Sequence, residues 1–152
     1  MKKGSLLNKE ISSVIAGMGH TDMLTIGDCG LPVPENVRRI DLALKKGVPT
    51  FEDTLKVVLE ELCVEKVIIA SEIKAKNADL YGTLKNVFAD IEIEEIPHEE
   101  FKEKTKLSKA VIRTGEYRPS PIVSMSVCPM PAMTLEISLF NKLPFFIVLP
   151  LF

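Results

Sequence analysis

Ile11, Val14, Ile15 and Met18 recur at i, i+3, i+4 and i+7, the spacing of one apolar helix face. Asn8 ahead of them predicts an N-cap. Gly19 behind them predicts a C′ residue in the left-handed region, which glycine enters without strain. The run Met23–Gly27 then reads as a short strand, and residues 39–44 alternate Ile40, Leu42 and Leu44 as a second one. Pro32 and Pro34 force an extended connection between the two.

Thr50-Phe51-Glu52-Asp53 resembles a capping box, and Leu55, Val58, Leu59 and Leu62 continue it as the buried face of a helix. The near-continuous apolar run Val64–Ala70 predicts a strand covered on both faces, as in a parallel sheet. Asn77 opens a further helix with Leu80, Leu84, Val87 and Phe88 on its inner face. Ile91, Ile93 and Ile96 mark another strand. Pro97-His98-Glu99-Glu100 starts a short helix, with proline tolerated in the first turn and acids at the positive end. Residues 110–113 form one more strand before the turn Thr114-Gly115-Glu116. Strands and helices alternate, so the predicted class is α/β: three layers, a largely parallel sheet with helices on both faces. Sites in such sheets lie at the carboxyl ends of strands. Asp28 follows one such end, His98 a second and Thr114-Gly115-Glu116 a third.

This pattern stops abruptly. After Glu116 only Arg118, Lys142 and Glu136 are charged, and Pro119, Pro121, Pro129, Pro131, Pro144 and Pro150 interrupt the rest. Residues 123–127 and 145–149 have strand-like composition there. A membrane span needs about 20 apolar residues, and the uncharged run after Lys142 is ten. The expected organisation is therefore an α/β domain over residues 1–117 and a separate apolar, proline-rich tail over 118–152.

The 152 residues carry a net charge of −2, which leaves no basic footprint for nucleic acid. The basic start Met1-Lys2-Lys3 is not followed by the apolar run of a secretory signal, because Asn8, Lys9 and Glu10 break it. Cys29, Cys63 and Cys128 lack metal-ligand spacing and read as reduced thiols of a cytoplasmic protein. No phosphate loop, dinucleotide fingerprint or serine-hydrolase elbow is present. What remains is cofactor-free acid–base chemistry by histidine and aspartate.

The candidate residues cluster around Gly19-His20-Thr21-Asp22 and Asp28-Cys29-Gly30-Leu31-Pro32-Val33-Pro34. His20 at a helix exit and Asp28 at a strand end are expected to face one cleft, with the strand between them returning the chain to the same edge. An imidazole with an ordinary pKa of about 6.5 exchanges protons near neutrality. His98 is the second histidine, and Lys102 lies four residues on, on the same helix face. The plain alternatives are a helix-end His, a turn Asp and a solvated lysine in the charged run 99–106. Glu72 and Lys74 are weaker strand-end candidates; Asp41 and Asp53 read as structural.

Together with Ile40-Asp41-Leu42, Val64-Glu65-Lys66-Val67, Glu72-Ile73-Lys74, His98-Glu99-Glu100-Phe101-Lys102 and Ile112-Arg113-Thr114-Gly115-Glu116, these motifs resemble the D-ribose pyranase family. These are sugar mutarotases that include fucose mutarotases. The resemblance runs from residue 1 to about 117. It implies interconversion of the pyranose and furanose forms of D-ribose. It also implies a ring-shaped homo-oligomer, typically a decamer, with sites near subunit contacts, and no metal or redox cofactor. Residue by residue, it implies His20 as catalytic proton donor, Asp28 and His98 as substrate-binding residues and Lys102 as a lysine of the site.

The departure comes after Tyr117. The family continues Thr-Pro-Tyr-Ala-Asn, whose Tyr and Asn contribute to sugar binding; this chain reads Arg118-Pro119-Ser120-Pro121-Ile122. Ser120 thus stands where Tyr is expected and Ile122 where Asn is expected. With the change in composition, this suggests a tail read in a shifted frame, the alternative being a genuinely divergent tail; resequencing the coding DNA tests this. The competing functional expectations are a mutarotase for another sugar, such as fucose, and a homologue that binds sugar without turnover.

Overall fold

The computed structural model describes residues 2–117 and 122–127. Its elements, in chain order, are α1 (Lys9–Gly17), β1 (Met23–Gly27), β2 (Arg38–Asp41), α2 (Phe51–Leu59), β3 (Val64–Ala70), α3 (Ile73–Lys76), α4 (Ala78–Val87), β4 (Glu92–Ile96), α5 (His98–Thr105), β5 (Ser108–Arg113) and β6 (Val123–Val127). None of these helices is long and apolar enough to cross a membrane.

The predicted caps form as read. Asn8 Oδ1 accepts from Ile11 N at 3.0 Å, Thr50 Oγ1 from Asp53 N at 3.0 Å, and Asn77 Oδ1 from Leu80 N at 3.2 Å. Each satisfies a backbone donor that the first helical turn leaves open. The end of α1 differs from expectation. Met18 caps it in an extended conformation, and the left-handed residue is Thr21, with φ 69°. Asp22 explains this: its Oδ2 accepts from Gly19 N at 2.9 Å, closing the turn with a side chain. The second strand also stops early, at Asp41. Beyond it Leu44 is 82% exposed, because the chain folds into a loop at 44–49. Gly47 takes φ +74° in that loop and donates to Gly115 O at 2.7 Å. Gly115 lies so close to the backbone of Lys45 and Val48 that no Cβ fits.

The sheet order is β2-β5-β1-β6-β3-β4. All neighbours run parallel except β6, which is antiparallel to both β1 and β3. The parallel strands thus fall into two groups, β2-β5-β1 and β3-β4, and β6 is the strand between them. The sheet therefore continues past the expected boundary at residue 117. The expected strand at 145–149, like the rest of 128–152, lies outside the described residues.

Register explains why β6 fits there. Ile40, Ile112, Ile26, Val123 and Ile69 form one row across five strands, all in the core beneath α1, α2 and α4. The next row on the opposite face runs Val111, Thr25, Ser124 and Ile68. There Leu31, Val37, Ile96 and Phe101 of α5 complete a second core. Helices cover both faces, giving the predicted three layers. The Ser124 hydroxyl is not stranded, since Thr25 Oγ1 donates to it at 3.0 Å and meets Ser108 Oγ at 2.7 Å.

Candidate functional site

The parallel strands end on one edge, and the turns that follow them build a cleft of about 300 Å3. Asp28, Cys29, Gly30, Leu31, Pro32, His98, Tyr117 and Ile122 line it. That volume is at the small end of ligand sites, roughly 300–1,000 Å3. Asp28 follows β1, and its Oδ1 accepts from Gly30 N at 2.7 Å in a tight turn that orients the carboxylate. The turn is tied to the end of β5. Cys29 N donates to Glu116 O at 3.0 Å, and Thr114 N and Oγ1 both donate to Gly27 O, at 2.9 and 3.0 Å. Tyr117 continues from there, with Lys46 Nζ 5.2 Å from its ring centroid.

His98 is the first residue of α5. Its backbone N donates to Glu72 Oε1 at 3.0 Å, across from the turn after β3. Glu72 is held below the ordinary carboxylate range, first by this His98 N–H and next by its own backbone N–H. Nδ1 of His98 is buried and has no hydrogen-bond partner among the described residues. Lys102 stands one turn further along α5, outside the cleft lining, with its Nζ 2.7 Å from Glu99 Oε1. That lysine hydrogen bond is the main reason the Glu99 carboxyl lies below its usual range.

His20 is elsewhere. It precedes β1, whereas Asp28 follows it, and a five-residue strand runs in one direction for about 3.3 Å per residue. The expectation that the strand returns the chain to the same edge is therefore corrected: within one chain His20 and Asp28 occupy opposite ends of the sheet. His20 is half exposed, its Nδ1 3.9 Å from Glu65 Oε2 at the start of β3. Ser126 Oγ donates to Glu65 Oε1 at 3.3 Å, and Thr21 N to Val127 O at 3.2 Å. The end of β6 thereby clips the loop that carries His20. Asp22 stiffens that loop; the Gly19 N–H, followed by Lys109, lowers its pKa.

Of the four candidates, the structure joins Asp28 and His98 in one cleft, sets Lys102 beside it on the same helix and separates His20. Cys29, Leu31 and Pro32 of the lining belong to the motif that follows Asp28 without an assigned role there, and Tyr117 is not singled out in sequence. Glu65 had a sequence signal: the charged pair Glu65-Lys66 at the head of a strand whose remaining residues are apolar. Ile122, where the resemblance implies Asn, is 1% exposed and closes one wall; Ser120 lies outside the described residues.

The profile of the RbsD / FucU transport protein family matches residues 1–124. A D-ribose pyranase of Clostridium perfringens strain 13 is 57% identical over 119 residues, covering 78% of this chain and 91% of that protein. One from Bacillus subtilis strain 168 is 54% identical over 119 residues, with 78% and 91% covered. Among solved structures, Bacillus subtilis RbsD complexed with D-ribose superposes with a TM-score of 0.83 at 49% identity, covering 86% of this chain and all of that one. The fucose mutarotase of Streptococcus pneumoniae, in complex with L-fucose, shares the fold at a TM-score of 0.72 and 16% identity, with 86% of this chain and 100% of that one covered. On both its sequence and its fold, this chain belongs to the RbsD / FucU family.

Proposed function

We propose that this chain is a D-ribose pyranase, an isomerase that exchanges the six- and five-membered ring forms of ribose. The observation that carries the reading is the cleft that joins Asp28 and His98, in a chain 54–57% identical over 119 residues to proteins of that name. Changing ring size breaks the bond from C1 to the ring oxygen and forms one from C1 to another hydroxyl. A proton leaves the anomeric hydroxyl as the ring oxygen gains one, and closure reverses this at the new oxygen. Asp28 accepts sugar hydroxyls and His98 holds the ring beside it. The apolar wall of Leu31, Pro32 and Ile122 receives the C–H face. His20 is the proton donor, and such help is worth about 10²–10⁴-fold in rate.

Because His20 lies at the other end of the sheet, the complete site needs two copies: His20 of one meets the Asp28–His98 cleft of the next. The chain acts as a closed homo-oligomer, with a ring such as a decamer as the expected form. Such head-to-tail contacts close into rings when the rotation permits. The exposed free thiols of Cys29 and Cys63 favour a cytoplasmic location. Lys102, one turn beyond His98 on the same helix, contacts the incoming sugar.

Magnetisation-transfer NMR on D-ribose tests the reading. The protein should accelerate exchange between pyranose and furanose anomeric signals, and His20→Ala should abolish it while ribose still binds. Equal exchange with and without protein would sink it. Binding without exchange in the unaltered chain would instead mark a sugar-binding homologue, and faster exchange with L-fucose than with ribose a different mutarotase.

A further inference from the structure

Helix α5 begins without a capping side chain of its own. Its N-cap is Pro97, which has no side-chain oxygen, and no cap hydrogen bond comes from that position. The first backbone donors of a helix need acceptors from elsewhere. One comes from Glu72, 26 residues earlier, whose Oε1 accepts from His98 N at 3.0 Å. The two strand ends that bring these residues together are also tied directly, since Ser71 N donates to Ile96 O at 2.8 Å. A carboxylate at this place also complements the positive end of the helix dipole.

The residue anchored by this bond is His98, which lines the cleft. Further along, α5 is held by other means: Phe101 is 0% and Thr105 1% exposed. The body of the helix therefore stays packed when the first turn is released. The His98 ring has little else to hold it on its inner side, because Nδ1 is buried without a partner among the described residues. Its backbone attachment sets where the ring stands.

We propose that Glu72 is a positioning residue of the sugar site, holding His98 at the cleft wall through its backbone amide. This deepens the ribose reading and rests on it. Glu72 touches no sugar itself; it acts through His98. Misplacing a positioned group by about 1 Å costs up to roughly 100-fold in enzymatic rate; here the cost falls on ribose binding, because His98 holds the sugar and Phe101 and Thr105 keep the body of α5 packed.

Three variants separate this role from general support. Glu72→Gln keeps an oxygen acceptor and loses the charge. Glu72→Ala loses both. Asn77→Ala removes the cap of α4 next door, away from the cleft. The expected result is a KM for ribose raised about tenfold in Glu72→Ala, within the positional penalty above. Glu72→Gln should stay within about twofold of the unaltered protein, because a neutral acceptor replaces most of the bond. Asn77→Ala should lower Tm at least as much as Glu72→Ala and leave KM unchanged. The 1H–13C cross-peak of the His98 imidazole gives a readout independent of turnover. It should move in Glu72→Ala and stay in Asn77→Ala. An unmoved imidazole signal in Glu72→Ala overturns the proposal, as does an equal rise of KM in Asn77→Ala. If the unaltered protein neither binds nor exchanges ribose while the imidazole pattern holds, the ribose reading fails and the positioning of His98 stands.

Discussion

His20 and Asp28 stand at opposite ends of the same strand, β1, with His20 beside Glu65 and Asp28 beside His98 in the cleft. No rotamer of either brings them together within one chain. A reaction that uses both must draw them from two copies.

This predicts complementation. His20→Ala should lose exchange by about 10²–10⁴-fold as a proton donor, and Asp28→Asn should lose exchange through weakened sugar binding. Refolded together in equal amounts, they form some sites with an intact His20 from one copy and an intact Asp28 from another. Random mixing restores about a quarter of the unaltered rate for a two-copy site. Ribose exchange by NMR on the mixture reads this directly. A mixture no more active than its components would mean that the two residues act in the same copy or not at all.

The second prediction concerns the hydroxyls of Thr25 and Ser124, which meet at 3.0 Å inside the sheet. Thr25→Val leaves the buried oxygens of Ser124 and Ser108 without this partner. The expected loss is about 1–3 kcal/mol of stability. Ser124→Ala in the Thr25→Val background should cost less than it does alone, with a coupling of about 0.5 kcal/mol or more, as for residues in contact. Urea denaturation of the four proteins checks this. Strict additivity would place residues 123–127 somewhere other than between β1 and β3.

A third prediction follows from Asp41. Its Oδ1 accepts from Arg113 Nε at 2.7 Å, and its Oδ2 from Arg113 Nη2 at 3.0 Å and Arg39 Nε at 2.7 Å. Arg113, the strongest influence, holds the carboxyl below its ordinary range, and Arg39 adds to this. A depressed carboxyl stabilises the fold above the unfolded value near 3.9. That contribution disappears as pH falls through the lower folded value. Asp41 is exposed enough for water to screen it, so Asp41→Asn should cost under about 1 kcal/mol at neutral pH. The gap between the two proteins should close as pH drops below the ordinary carboxylate range. A gap of constant size from pH 7 downward would show that the ion pairs are not its source.

Much of this architecture was legible in the chain by itself, because its signals are local. The oxygens of Asn8, Thr50 and Asn77 reach donors three residues away, so their caps depend on nothing distant. Val64–Ala70 and Met23–Gly27 are apolar enough to require burial wherever they lie, and both are strands with the bounds read from sequence. Asp28 and His98 were placed together because a parallel sheet sends its strand ends to one edge. Tertiary structure alone decided the rest. Leu44 continued an apolar alternation, but the loop pinned to Gly115 took it out of the sheet. Gly19 was free to adopt the left-handed conformation, but Asp22 closed the turn and moved it to Thr21. His20 was grouped with Asp28 on nearness in sequence, whereas the direction of β1 separates them. Composition set residues 118–152 apart, yet Val123–Val127 fills the middle of the sheet. The strand itself was legible, since Val123, Met125 and Val127 alternate with serines and its bounds are those read from sequence; its neighbours β1 and β3 lie about 100 and 60 residues earlier, and pairing at that distance leaves no mark of the partner in the sequence near it.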